Sequence, residues 1–312
     1  MATTETATAD ALEQYRRELT GYCYRMLGSA FDAEDAVQET MVRAWRSLDR
    51  FEGRSALKSW LYRIATNVCF DSLAGRERRA RPMDLGPAQE PVIENIAELP
   101  EVTWITPLPT PDELVEQRDT LRLAFVAALQ HLPAKQRAAL ILCEVLKWQA
   151  SEAAELLETS VASINSALQR ARVTLAKADT AAPAALDDET HALLDRYVSA
   201  FEAYDIDRLT DLLHEDAVQS MPPISLWLEG RDDIFTWWFG PGIGCKGSKL
   251  VPVGLVNGMP AWGQYKPDPD GAGRVAWALI VPEVSEGRIV ELTFFLDVQR
   301  LFPLFGLAQR LD

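Results

Sequence analysis

The stretch Asp32-Ala33-Glu34-Asp35-Ala36-Val37-Gln38-Glu39-Thr40-Met41-Val42-Arg43-Ala44-Trp45-Arg46 decides how this chain is read. Asp35, Gln38 and Glu39 recur three to four residues apart, so a helix puts them on one polar face, opposite an apolar stripe of Ala36, Val37, Met41 and Ala44. Trp45 reads as a core residue of the same helix. Helical spacing extends outward from this stretch, from Ala11 to about Arg81, for instance at Leu12, Tyr15, Leu19, Tyr22 and Met26. A first all-helical domain over residues 10–81 follows.

Directly after the opening stretch comes Arg50-Phe51-Glu52-Gly53-Arg54-Ser55 and then Lys58 to Asp71, which predicts a loop leading into a helix. Proteins that hold unpaired DNA combine cations for the backbone with rings or polar groups for splayed bases. Here Arg54, Lys58, Arg63, Asn67 and the Arg76 to Arg81 cluster supply charge or hydrogen bonding, and Trp60 and Tyr62 supply rings. A Trp and a Tyr beside Leu61 and Ile64 read as core before they read as stacking platforms.

Charge is divided sharply along the chain. The whole carries a formal net charge of -15 over 312 residues, which excludes a protein that coats nucleic acid with its entire surface. Residues 43–81 nevertheless hold ten basic and four acidic side chains, whereas residues 82–120 hold nine acids against Arg118 alone. Six prolines (Pro82, Pro87, Pro91, Pro100, Pro107 and Pro109) precede Pro111 with no sustained period, so residues 82–111 are expected to be an extended acidic linker.

A second helical domain is expected over 112–178. Leu132 to Leu142 and Ser151 to Leu157 are helical in pattern, Glu158-Thr159-Ser160 breaks them, and a further helix begins at Val161. Two short helices across a brief polar break are the helix-turn-helix pattern. In the second of them Val161, Ile164, Leu168, Ala171 and Leu175 form the apolar set. Ser163, Asn165, Ser166, Gln169, Arg170 and Arg172 are left for solvent or DNA, and no acid occurs between Ser160 and Lys177.

Residues 187–312 change character to α+β and carry 20 acids against 10 bases, so they are not expected to bind DNA directly. Helices are expected at Glu189 to Ala203, Ile206 to Leu213 and Arg231 to Phe239. Strands are expected at Lys249 to Val256 and Met259 to Tyr265 around the hairpin turn Asn257-Gly258, then at Arg274 to Val281 and Arg288 to Asp297. Trp227, Trp238, Trp262, Trp277 and Phe294 are the candidate lining of a ligand cavity. His214, Glu215, Asp216, Asp232 and Asp297 are the obvious acid-base groups, and nothing in the sequence pairs two of them, so catalysis is not expected. The four cysteines form no CxxC pair and read as reduced packing residues, not as a disulfide frame or a metal site. No run of about 18 apolar residues occurs and the first residues are polar, so no membrane association and a cytosolic location are expected.

Three segments together resemble a known family. Asp-Ala-Glu-Asp, Gln-Glu and Arg-Ala-Trp between Asp32 and Trp45 resemble region 2.2 of the sigma-70 family. Trp60-Leu61-Tyr62-Arg63-Ile64-Ala65 with Asn67 and Asp71 is similar to regions 2.3 and 2.4, and Ile164 to Arg172 to region 4.2. The chain is thereby identified as similar to an extracytoplasmic-function sigma factor, the subunit that gives bacterial RNA polymerase its promoter specificity.

The resemblance implies docking of Asp35, Gln38 and Glu39 on the β′ coiled coil of core RNA polymerase, with the β flap as a second contact. It implies minus-ten recognition by Arg54, Ser55, Lys58, Arg63, Asn67 and Asp71, and minus-thirty-five recognition by Ser163, Asn165, Ser166, Gln169, Arg170 and Arg172. Asn165, Ala167 and Gln169 stand where Lys, Arg and His are frequent in the family, which implies weaker phosphate contact. The linker is implied to thread the polymerase channel. Leu226 to Ile234 and the helix-helix-strand-helix-sheet order resemble the SnoaL-like cone fold of the NTF2 group, implied to modulate the sigma factor in cis.

The fold class is therefore multidomain, two all-α domains followed by an α+β cone. Promoter DNA and core polymerase are the expected partners and no cofactor or metal is called for. A small-molecule ligand of the C-terminal domain and a separate anti-sigma protein are left open. The alternative reading is a SnoaL-like enzyme or ligand sensor tethered to DNA by the helix-turn-helix; in its form as a ligand-sensing repressor it leaves residues 11–81 without a role.

Overall fold

Ser29 stops one helix and starts the next. Its backbone is extended, and its hydroxyl accepts the Asp32 N–H at 3.2 Å, satisfying one of the free donors of the first turn. Gly28 before it takes a left-handed φ of 70° and donates its N–H to Tyr24 O, closing the preceding helix in the usual glycine manner. The computed structural model describes residues 9–48, 51, 56–176 and 185–312 and divides them between two units.

The first unit joins the N-terminal helices, up to Arg79, with those that follow Pro111. It contains α1 (Ala9–Glu13), α2 (Arg16–Leu27), α3 (Ala30–Ser47) and α4 (Leu57–Leu73), then a 3-10 helix (Asp112–Thr120). After that come α5 (Leu123–Gln130), α6 (Ala134–Leu140) with a π-helical turn (Ile141–Val145), α7 (Ala150–Leu156) and α8 (Val161–Leu175). Leu19, Tyr22, Cys23 and Met26 of α2 meet Val37 of α3 and Leu61, Tyr62, Ala65 and Cys69 of α4 in a core with almost no exposure. Tyr22 and Tyr62 pack edge to face at 5.1 Å, and the Tyr22 hydroxyl lies 2.7 Å from Thr66 Oγ1, so its polar end is satisfied inside. Each such side chain contributes about 1.5–3 kcal/mol by leaving water. All four cysteines are free thiols.

The second unit holds Ala80–Thr110 together with residues 185–312. Asp187 and Asp205 cap α9 (Asp188–Ala203) and α10 (Ile206–Leu212), accepting the N–H groups of Thr190 at 2.8 Å and Arg208 at 3.2 Å. Then follow β1 (Leu213–Ser220), β2 (Trp227–Glu229), α11 (Arg231–Phe239), β3 (Lys249–Val256), β4 (Met259–Pro267), β5 (Arg274–Ser285) and β6 (Arg288–Phe295). α12 (Val298–Leu304) and β7 (Arg310–Leu311) close the chain. The sheet order is β2-β1-β6-β5-β4-β3, antiparallel except for the parallel β1–β6 pair, with β7 added to β5.

Successive residues of a strand face opposite sides. Trp262 and Gln264 of β4 face α9 and α11, while Gly263 and Tyr265 face α12, where Tyr265 packs on Phe302 at 5.2 Å. A Cβ at Gly263 would run into Leu307, so the close approach of the C-terminal segment requires glycine there.

Residues 80–110 are extended apart from three single 3-10 turns, but they are not free-standing. Trp104, Ile105 and Leu108 are buried, at 2%, 2% and 4% exposure. Leu108 and Thr110 bind the β3–β4 hairpin: Leu108 N donates to Asn257 Oδ1 at 2.9 Å, Asn257 N to Leu108 O at 3.0 Å, and Thr110 N to Leu255 O at 2.8 Å. Further along, Ser225 N donates to Ala97 O and Trp227 Nε1 to Gly86 O. Arg81 pairs with Glu291 at 3.4 Å, and Arg300 with Glu101 at 3.3 Å.

Candidate nucleic-acid interface

On α3 the residues Ala30, Ala33, Val37, Thr40 and Ala44 are buried, which leaves Asp35 and Gln38 exposed as the sequence requires. Glu39, beside them, receives Arg43 Nε at 2.7 Å, and the same guanidinium reaches Asp71 of α4 at 3.3 Å. Trp45 corrects the sequence reading. It is 60% exposed and lies, with Val42, on the face of Asp35 and Gln38. The buried stripe runs through Thr40 and Ala44, and Trp45 follows Ala44 by about 100° of rotation, enough to carry it out of the core. The polar face thus carries an aromatic side chain toward its C-terminal end, and aromatic side chains are the usual anchors of protein interfaces.

On α4 Tyr62 is buried and Trp60 half-buried, its ring 5.0 Å from Phe51. Asn67 and Asp71 are exposed. Each cation of this helix already has a carboxylate: Lys58 binds Glu18, and Arg63 Nη2 stands 3.7 Å from Glu155 of α7. Arg54 and Ser55 lie outside the described residues. The basic cluster that follows is also engaged, with Arg76 and Arg79 on Asp32 at 3.2 and 2.8 Å and Arg78 against the His131 ring.

The helix-turn-helix turns at Glu158, whose φ of 51° lets the chain reverse before Ser160 caps α8 by accepting Ser163 N–H at 3.1 Å. Ile164, Ala167, Leu168 and Ala171 are buried. Ser163, Asn165, Ser166, Gln169, Arg170 and Arg172 are all exposed and cover one half of the helix circumference. Val161, assigned from its spacing to the apolar set, is 43% exposed, because it belongs to the first turn and overhangs the core. Arg172 Nε bonds Glu144 Oε1 at 2.7 Å, whereas Arg170 has no carboxylate partner among the described residues.

A buried polar seam ties the two halves of this unit. Arg25 of α2, with no exposure, donates to Thr120 O at 3.2 Å, to Thr120 Oγ1 at 2.7 Å and to Gln117 Oε1 at 3.0 Å. Arg137 of α6, 4% exposed, donates to Met26 O, to Gln130 Oε1 at 2.6 Å, to Gln130 O at 3.1 Å and to Leu132 O at 3.0 Å. Burial pushes both guanidinium groups down to about 10, which leaves them charged at neutral pH. Arg137 thus sets a cation on the Met26 carbonyl in the last turn of α2, where the helix dipole favours one. Tyr62 of α4 and Trp148 of the second half pack with tilted rings at 5.1 Å across the same seam.

In the C-terminal unit Trp238, Trp277 and Phe294 line a cavity of about 260 Å³. Trp227 and Trp262 do not: Trp227 binds the Gly86 carbonyl, and Trp262 packs on Tyr197 at 6.1 Å. The sequence shows five large rings but not which face of its strand each occupies. Gln219, Tyr204, Gln264 and Lys266 join the lining and were not legible as such. His214, Glu215, Asp216, Asp232 and Asp297 are absent from it. Among the described residues no cluster could hold a metal ion, and no helix is long and apolar enough to cross a membrane.

Comparison with known proteins agrees with this geometry. A family model described as Sigma-70 region 2 matches residues 11–79, one described as Sigma-70, region 4 matches residues 122–175, and a SnoaL-like domain model matches residues 194–292. The ECF RNA polymerase sigma factor SigG of Mycobacterium tuberculosis (strain ATCC 25618 / H37Rv) is 43% identical over 316 residues, spanning 96% of this chain and 83% of that protein. SigW of Bacillus subtilis (strain 168), also an ECF RNA polymerase sigma factor, is 30% identical over 173 residues, 55% of this chain and 88% of that one. The crystal structure of Mycobacterium tuberculosis SigJ shares the fold, with a TM-score of 0.62 at 22% identity over 93% of this chain and 96% of that chain.

The chain belongs to the extracytoplasmic-function RNA polymerase sigma factors, and it carries a SnoaL-like extension at its C-terminus. Proteins of this family bind core RNA polymerase and promoter DNA.

Proposed function

We propose that Asp35, Gln38 and Glu39, with Trp45 further along the same face, dock this sigma factor on the β′ coiled coil of core polymerase, the β flap receiving the second helical half. On this reading Arg54, Ser55, Lys58, Arg63, Asn67 and Asp71 serve the minus-ten element. Ser163, Asn165, Ser166, Gln169, Arg170 and Arg172 serve the minus-thirty-five element in the major groove. The chain then works in the bacterial cytosol as a regulator and not as an enzyme. The observation that carries the reading is α8, whose exposed half holds all six polar or basic candidates and no acid.

The two promoter elements are about 25 base pairs apart, about 85 Å of duplex at about 3.4 Å per base pair. Helices α4 and α8 stand on adjoining elements, since Arg63 reaches Glu155 of α7. The helical unit therefore opens when it engages polymerase and promoter together. The hydrogen bonds between residues 80–110 and the C-terminal domain support regulation in cis, because the spacer between the two DNA-binding halves is held by that domain. Threading of the same acidic spacer through the polymerase channel would require its release.

Reconstituted transcription with core polymerase tests the reading. The unaltered chain is expected to give specific transcripts, Asp35→Arg to lose core binding, and Arg172→Glu to keep core binding but lose about tenfold in promoter output. Deleting residues 187–312 is expected to change output without abolishing core binding. A chain that neither joins core polymerase nor yields specific transcripts would refute it.

A further inference from the structure

We propose that the cavity of the C-terminal unit binds a flat organic acid of one or two rings that also carries a hydroxyl or N–H donor, with Gln264 reading the donor and Lys266 the acid. An apolar cavity of about 150 Å³ already holds benzene, so about 260 Å³ takes a substituted ring or a ring pair. Its walls are the rings of Phe201, Trp238, Trp277 and Phe294, which select a flat apolar body. Ile93 and Ile96 of the spacer border one side, so the occupant touches the segment that joins the two helical halves.

The polar groups define the rest of the ligand. Ser248 donates its hydroxyl to Cys245 O at 2.6 Å, so its oxygen accepts from Gln264 Nε2 at 3.0 Å, and this orients the amide. Gln264 lines the cavity and is 1% exposed, and its Oε1 has no hydrogen-bond partner among the described residues. A buried acceptor left unpaired calls for a donor from whatever fills the space.

Lys266 follows two residues later on the same face of β4, about 7 Å away by strand geometry. Its ammonium sits 3.4 Å from the Trp277 ring centroid, and it has no carboxylate partner among the described residues. Trp277 is carried there by a bulge: Gln264 pairs with Ala278 and Tyr265 with Ala276, which makes Trp277 the extra residue of β5. An acceptor and a cation on one wall of an aromatic slot match a ligand with a donor and an anionic group along one edge. The inference does not depend on the roles proposed for the helical unit.

Titration calorimetry on the full chain tests it with three probes: para-coumarate, cinnamate, which lacks the hydroxyl, and para-vinylphenol, which lacks the acid. Para-coumarate is expected to bind at one site, and each of the others about tenfold more weakly. Gln264→Leu is expected to erase the difference between para-coumarate and cinnamate, and Lys266→Met that between para-coumarate and para-vinylphenol. Absence of saturable binding, equal affinity for the three probes, or differences that persist in both folded variants would overturn the proposal. The three-probe comparison on the unaltered chain decides it even where a variant fails to fold.

Discussion

Two sets of arginines in the helical unit are held in opposite ways. Arg25 and Arg137 are 0% and 4% exposed and are surrounded by main-chain carbonyls, a hydroxyl and amides. The Arg63 and Arg172 side chains are 36% and 66% exposed, and among the described residues each meets a single carboxylate. Removing a buried cation strands every acceptor that had been desolvated to receive it, whereas an exposed ion pair contributes about 0–1 kcal/mol and is screened by salt. The first set therefore fixes the helical unit, and the second, on the proposed reading, keeps cations meant for DNA in exchangeable pairs. A phosphate can replace Glu155 or Glu144 at small cost.

The sharpest way to break this contrast is Arg137→Ala. It leaves the carbonyls of Met26, Gln130 and Leu132 without their donor, and a loss of about 3 kcal/mol or more is expected in denaturant unfolding. Equal stability of the variant would mean that the seam is not what holds the halves. Trp45→Ala should move the opposite quantity. Folding stability is expected to stay within about 0.5 kcal/mol, as for other surface changes, while affinity for core polymerase falls by about 2 kcal/mol as for an aromatic anchor. Both are measurable on one preparation by melting and by binding to immobilised core. The smallest effect is expected from Glu155→Gln, which frees Arg63: stability changes by less than about 1 kcal/mol. Salt titration of that variant should show a weaker dependence of stability on ionic strength than the unaltered chain.

Much of this architecture was legible in local pattern. The caps, the break at Glu158 to Ser160 and the Asn257-Gly258 hairpin follow from residue type and spacing, and so does the exposed half of α8. Long-range partners were not legible. Arg137 and Met26 are 111 residues apart, and Arg25 and Thr120 are 95 apart, so no periodicity announces either pair. For the same reason the basic block looked like an open DNA surface, although Asp32, Glu18 and Glu155 occupy much of it.

Trp45 differs from its sequence expectation because aromatic character does not by itself mean burial, and one residue of helical rotation past Ala44 carries it out of the core. The proline-rich spacer is extended between its three 3-10 turns and belongs to the C-terminal unit. Its anchoring runs largely through main-chain groups of residues 97–110 and 225–257, which carry no sequence signature. The cavity follows the same rule: its rings were visible, but Gln264 became informative only once Ser248 and Cys245 fixed its amide.

The most direct test of the closed helical unit is a distance. Fluorophores at Asn67 of α4 and Gln169 of α8, both exposed, report the separation of the two helices proposed to face DNA by energy transfer. Strong transfer is expected in the free chain, falling on assembly with core polymerase and promoter DNA toward the about 85 Å that the duplex imposes. Transfer that stays strong in a complex making specific transcripts would contradict the account.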